Sequence, residues 1–437
     1  MVNYHPVNRL GNPVSSLLEE IHGMKEIIYE QGSAEYEKSR VRFFNNAVPD
    51  RYPYQIIHPR STEEVATAVK HAVSLDKHIS VRSGGHLFPH QHLQNDEILI
   101  DLKGVNNHFE FDEHTRQISF GPGLTAKDAQ DFLNPRNLFF PFGHSPTVGL
   151  GGFLLAGGQG WFFPGWGLTS DRWITQLEIV TANGEIKICN RYENADIFWA
   201  ARGAGMGFFA IVTRFWGQTA PAKKLYMLQW VFSGLKYHSA LNWLLDSGKL
   251  LKPYHTEMTV SSQYEDAFTD LDGSDEIRSK EILLNGLVII YADSLEEAQA
   301  MSFPFGECPE EHVAHIPLRE TTWDEQNMLQ EMLMPPNKGL RYKCDSMLTG
   351  PEVPREEVSP LRIDLTAVIG CNLSTVHAIT QSPFMRCHCQ LRHHDWKSSI
   401  LAADRFIHRK LPRLEGCQRR LDDETMVDKG VRKSANC

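Results

Sequence analysis

Residues 143–160 read Gly-His-Ser-Pro-Thr-Val-Gly-Leu-Gly-Gly-Phe-Leu-Leu-Ala-Gly-Gly-Gln-Gly, and the rest of the chain is read outward from this run. Glycine continues at positions 165 and 167 within a segment that is otherwise apolar and aromatic. Such density costs folding entropy and calls for positive φ or a close approach of backbone to a ligand. A glycine-rich loop packed on Phe153, Trp161 and Trp166 is the other reading. No strict Gly-x-Gly-x-x-Gly fits this run, and no Gly-x4-Gly-Lys-Ser/Thr occurs in the chain, so a Rossmann site and a P-loop both lack their signatures. Some other phosphate-bearing ligand would have to explain the glycines.

Upstream, Arg82, Ser83, Gly84, Gly85 and His86 lie between two strand-like segments, 78–82 and 97–102. Adjacent glycines at a strand end let successive N–H groups face one point, a nest for phosphate oxygens, and the histidine beyond them offers a nucleophilic imidazole. A tight turn with a surface histidine fits the same five residues. Before them, Ser61, Thr62, Glu63 and Glu64 read as a capping box, and Val65, Val69 and Val73 with Ala68, Ala72 and Leu75 form one apolar stripe, predicting a helix to about residue 76. Strands are expected at 117–121, 177–182 and 208–216, with a helix at 195–202. After Pro221 the glycine density falls. Strands at 225–232, 256–263 and 283–291, alternating with helices at 238–250 and 295–301, predict a second, α+β domain from about residue 220. The acidic stretch 265–276 reads as a solvated loop.

The chain has 437 residues, 41% of them hydrophobic and 22% charged, which suits two to three globular domains. No run approaches a membrane span, and residues 1–10 lack the apolar region of a signal peptide, so a soluble cytoplasmic protein is expected. A net charge of −10 argues against nucleic acid as a partner. Eight cysteines are too few for a disulfide scaffold.

Taken in order and spacing, the 59–73 helix with residues 81–86, 98–102, 120–123, 146–160, 171–184 and 196–213 resembles one family. The chain looks like a berberine-bridge-enzyme-like member of the vanillyl-alcohol oxidase / p-cresol methylhydroxylase superfamily of FAD-dependent oxidoreductases. The resemblance implies an α+β fold: a helical N-terminal cap (1–50), a two-subdomain FAD-binding domain (51–219), and an α+β substrate domain with an antiparallel sheet (220–370). It implies that Arg82, Ser83, Gly84 and Gly85 wrap the FAD pyrophosphate and that His86 bonds covalently to the flavin. Ser145 stands where many relatives place a second attachment cysteine, so one covalent bond is expected. Val148 matches an oxygen gate beside the flavin, and Phe153 replaces a frequent histidine. Further FAD contacts are implied at Pro146, Thr147, Gly149, Gly151, Gly152, Gly158, Ile211 and Val212. The implied activity is oxidation of a small alcohol or activated C–H by hydride transfer to flavin N5, with oxygen as acceptor. A dehydrogenase with another acceptor and a weakly active flavin-binding protein are the rivals. Tyr264, Tyr291 and Glu257 are the candidate bases, with no spacing to choose among them.

From residue 371 the composition changes. Residues 382–437 hold 12 Lys+Arg against 7 Asp+Glu, and no tyrosine follows Tyr342. Relatives end in a tyrosine-bearing segment that covers the flavin, so this ending reads as an altered, poorly ordered tail. Cys387, His388, Cys389, His393 and His394 carry metal-ligating side chains but not the Cys-x2-Cys spacing of zinc sites, and His86, His90 and His92 are also close in sequence. No metal is expected at either.

Overall fold

The computed structural model describes residues 13–264, 282–333, 345–347, 376–379 and 386–388. The N-terminal part begins with α1 (Pro13–Gly23), β1 (Ile28–Glu30), α2 (Ala34–Arg40) and β2 (Gln55–Ile57). Next comes α3 (Thr62–Ser74), whose Val65, Ala68, Val69 and Ala72 are buried as the apolar stripe requires. Ser61 caps it by accepting the Glu64 N–H at 3.3 Å, but the capping box is only half made. The Glu64 carboxylate takes the Arg60 N–H at 2.6 Å instead.

The first sheet adds β3 (Ile79–Arg82) and β4 (Ile98–Asp101) in the order β1-β2-β4-β3, with β2 and β3 parallel to β4. β1 pairs antiparallel with β2. The N-terminal segment, expected to be a helical cap, therefore supplies an outer strand of this sheet. The three residues Ile28, Tyr29 and Glu30 carry too short a pattern to be read as a strand.

A second sheet is antiparallel and ordered β5-β6-β10-β8-β9, built from β5 (Phe109–Asp112) and β6 (Gln117–Phe120), then β8 (Ile174–Val180), β9 (Ile186–Asn190) and β10 (Ile211–Gln218). The connection after β6 holds α4 (Ala126–Leu133), β7 (Leu138–Phe139), α5 (Leu150–Leu155), α6 (Phe163–Trp166) and α7 (Thr169–Arg172). α8 (Ala195–Ala201) precedes β10, and β11 (Ala220–Pro221) pairs with β7.

The third sheet is antiparallel and ordered β15-β12-β14-β13-β17: β12 (Lys224–Ser233), β13 (Thr256–Tyr264), β14 (Ile282–Ala292), β15 (Ala314–Thr321) and β17 (Val376–Ile379). Alternation gives it two different faces. Tyr226, Leu228, Trp230, Phe232, Val288 and Ile290 pack with residues of α9 (Tyr237–Gly248) and α10 (Leu295–Ser302). Leu225, Met227, Leu287, Ile289 and Tyr291 instead join the core of the second sheet, together with Trp323 of α11 (Trp323–Leu333). The third sheet is thus bonded to the N-terminal part through a shared apolar core.

Two pieces of the expected tail are strands. β17 adds to β13 at Thr259–Ser262, and β18 (Arg386–His388) pairs with β16 (Asp345–Met347). An open sheet edge offers N–H and C=O groups to whatever segment reaches it, whatever its composition. The acidic stretch 265–276 and the remainder of the tail, with its other cysteines and histidines, lie outside the described residues.

Candidate functional site

Two glycine-bearing loops touch back to back. A Cβ on Gly84 would lie 2.6 Å from Gly149 Cα, and one on Gly149 would meet Gly84 Cα at the same distance. These glycines answer a backbone-to-backbone contact between residues 83–86 and 145–152, where the sequence suggested approach to a ligand. Ser83 Oγ donates to the Pro122 carbonyl at 2.5 Å, the carbonyl that also accepts the Gly151 N–H at 3.0 Å. Gly152 differs, because a Cβ there would meet nothing within 4 Å.

His86 stands at the junction. Its ring stacks on Phe44 at 4.0 Å between centroids, and its Nε2 is 3.1 Å from Thr147 Oγ1, itself 3.1 Å from Ser145 Oγ. Burial pushes the imidazole down to about 4, so the ring is neutral at pH 7 and keeps a nucleophilic lone pair.

Behind this loop Asp101 is fully buried between two arginines. It accepts Arg82 Nε at 2.8 Å and is also bonded to Arg42. Burial alone would raise its pKa, but the two guanidiniums outweigh it and hold the carboxyl near 2. The Arg82 side chain is therefore turned inward to Asp101 and Ser39, so only its backbone can serve the part expected of it at a phosphate. Arg82 NH1 and Arg42 Nε are buried without a hydrogen-bond partner among the described residues, and two arginines against one aspartate leave a net positive charge here. Arg82 Cδ is 3.5 Å from where a Gly85 Cβ would be, so this charge adjoins the loop.

Pro146 is buried, while Thr147 and Val148 are half-buried. Gly158, at φ +74°, would meet Thr169 if it carried a Cβ. Ile211 and Val212 pair with Val180 and Ile179 in the second sheet. His90 bonds the Asn45 carbonyl at 2.8 Å, and among the described residues no three His, Cys, Asp or Glu side chains gather as metal ligands.

Of the candidate bases, Tyr291 lies in the apolar core. It is 2% exposed, its hydroxyl accepts the Lys223 N–H at 2.8 Å, and burial drives its pKa far up, so it is a core residue. The Tyr264 side chain lies outside the described residues. Glu257 is 1% exposed and is paired with His144, a residue the sequence reading passed over. A groove of about 670 Å³ on the second sheet, lined by Arg172, Arg191 and Trp216, contains none of these residues.

Residues 53–190 match the family model described as an FAD binding domain. The FAD-linked oxidoreductase ptmO of Penicillium ochrochloron is 41% identical over 224 residues, covering 51% of this chain and 49% of that protein. The FAD-linked oxidoreductase penO of Penicillium crustosum is 46% identical over 187 residues, 43% of this chain and 41% of that protein. Residues 53–190 carry an FAD-binding domain, and the chain is similar to FAD-linked oxidoreductases over about half its length. It spans about half the length of these curated relatives or less. Glucooligosaccharide oxidase from Acremonium strictum, described with a 6-S-cysteinyl, 8α-N1-histidyl FAD, shares the fold at a TM-score of 0.59 and 22% identity, over 77% of this chain and 68% of that one. The fold is the α+β, p-cresol methylhydroxylase type. Its residues suit FAD: the net positive charge behind residues 83–86 favours a diphosphate at the loop's backbone N–H groups, and the open Gly152 leaves room against the backbone.

Proposed function

We propose that this FAD-linked oxidoreductase oxidises a small organic substrate at an alcohol or activated C–H carbon, with FAD held covalently through His86 alone and oxygen as electron acceptor. The observation that carries the reading is His86 itself, a desolvated and neutral imidazole at the meeting point of the two glycine loops. When bound, FAD supplies the two-electron acceptor for hydride. Residues 83–86 and 145–152 would hold it. Phe44 fixes the plane of the His86 ring, and Thr147 fixes its rotation. Ser145 presents a hydroxyl where a second attachment needs a thiol. Val148, half-buried after Thr147, is the short side chain that leaves access for oxygen.

The test is anaerobic mixing of the purified protein with a panel of primary and secondary alcohols and polyols, followed by air. Bleaching of the flavin bands and then stoichiometric hydrogen peroxide is the expected result. No bleaching by any member overturns the oxidation, and slow reoxidation without peroxide overturns the choice of oxygen.

A further inference from the structure

Glu257 lies on β13 opposite Ile289 of β14, so strand alternation turns it away from the α9–α10 face and toward the N-terminal part. A carboxylate buried on an apolar face is costly unless each oxygen is satisfied. Here both are: Oε2 accepts the Phe162 N–H at 2.6 Å, and Oε1 is 2.5 Å from His144 Nε2. The first bond is made by a residue in the left-handed region (φ 61°), where a bulky side chain is an outlier that surrounding contacts must hold. The second bond fixes an imidazole. Because an ionised carboxylate only accepts, the proton facing it sits on His144 Nε2, which in the neutral imidazole leaves the lone pair on Nδ1. The His144 side chain is 17% exposed, and no bond to Nδ1 is made among the described residues. Its ring lies 4.5 Å from that of Trp161. A part-exposed imidazole with an unused acceptor therefore sits immediately before the loop that begins at Ser145. A hydroxyl group has a proton to give to it.

We propose that His144 is the catalytic base for substrates oxidised at a hydroxyl-bearing carbon and that Glu257 is its positioning residue; this rests on the flavin-dependent oxidation proposed above. In the step, the O–H bond breaks with its proton passing to His144 Nδ1. The carbinol C–H bond breaks with its electron pair passing as hydride to FAD, the oxidant, which is reduced by two electrons. The C=O bond forms, and the alcohol has lost a proton and a hydride, two electrons and two protons in all. Glu257 holds the imidazole in the accepting tautomer and then faces the imidazolium that forms, the division of labour seen when a buried carboxylate backs a histidine base.

The test has two arms on the intact flavoprotein. Nitrogen-15 spectra of histidine-labelled protein, with His144 assigned by its loss in His144→Gln, should show a protonated Nε2 and an unprotonated Nδ1, and Glu257→Gln should disturb that state. An unprotonated Nε2 in the native protein overturns the pairing, whether or not a substrate is known. In stopped-flow anaerobic mixing with a reactive alcohol, His144→Gln should slow flavin bleaching about 10²- to 10⁴-fold with substrate affinity kept. His144→Ala should regain part of the rate with added imidazole. Bleaching at the native rate in His144→Gln overturns this assignment alone. Failure of the native protein to bleach with any alcohol overturns the proposed function and the base with it. Should Glu257→Gln not fold, the part-exposed His144 variants decide the matter.

Discussion

Substituting two glycines only 68 positions apart should give opposite results. In Gly84→Ala the new Cβ is placed 2.6 Å from both Gly149 Cα and Gly149 N. Carbon atoms in contact normally stand about 3.5–4.0 Å apart, so backbone must move by about 1 Å on one side or the other. Neither side is the free end of a side chain. Overpacking of this kind costs about 1–3 kcal/mol, a fall in melting temperature of roughly 2 to 12 °C for a domain of this size. In Gly152→Ala the Cβ enters open space within α5, and removing glycine's extra freedom in a helix is worth about 0.5–1 kcal/mol of added stability. If Gly152 faces FAD, that gain comes with less bound flavin. Circular-dichroism melting and the ratio of flavin to protein absorbance measure both quantities on the same samples. A Gly84→Ala protein that melts with the native one and carries full flavin would refute the loop-on-loop account.

Three further outcomes are expected. Asp101→Asn leaves Arg82 and Arg42 facing each other without their carboxylate and should cost about 3–5 kcal/mol in urea unfolding; an unchanged midpoint would show that the pair is dispensable. Burial first, then Arg82, pushes His92 down to about 3, so the unfolded chain takes up a proton below about pH 6.5 that the folded protein refuses. Stability should fall between pH 6.5 and 3, by roughly 2 to 3 kcal/mol at pH 4.5, and His92→Phe should flatten the curve; equal slopes in the two proteins contradict this. Val148→Leu should slow reoxidation of reduced flavin in air without slowing reduction by substrate, and equal oxidation traces would remove the gate.

Much of the fold is written locally. The stripe from Val65 to Ala72 marks α3, and the apolar runs that became β12 and β14 lie within a residue or two of their observed limits. Those strands are long, and their side chains are buried on both faces. β1 and β17 were not legible, since three or four residues hold no periodicity and their pairing is decided by the free edge of a neighbour. The glycines were visible, but what they accommodate was not. Gly84 and Gly149 are 65 positions apart, and nothing in either loop states that they meet. The same limit hid the partnership of His144 and Glu257 across 113 positions. One signal was available, an acidic residue in the otherwise uncharged strand run 256–262, and it marked Glu257 without naming its partner. Tyr291 shows the converse: a polar tip on a strand looked chemical, yet its hydroxyl meets the backbone at Lys223.

FAD is proposed to be joined to this chain through His86 and no other residue. Acid precipitation of the purified protein, followed by absorbance of pellet and supernatant, tests it most directly. The account predicts a yellow pellet from the native protein and from Ser145→Ala, and a colourless pellet with free flavin in the supernatant from His86→Ala. Flavin released from the native protein, or retained by His86→Ala, would contradict it.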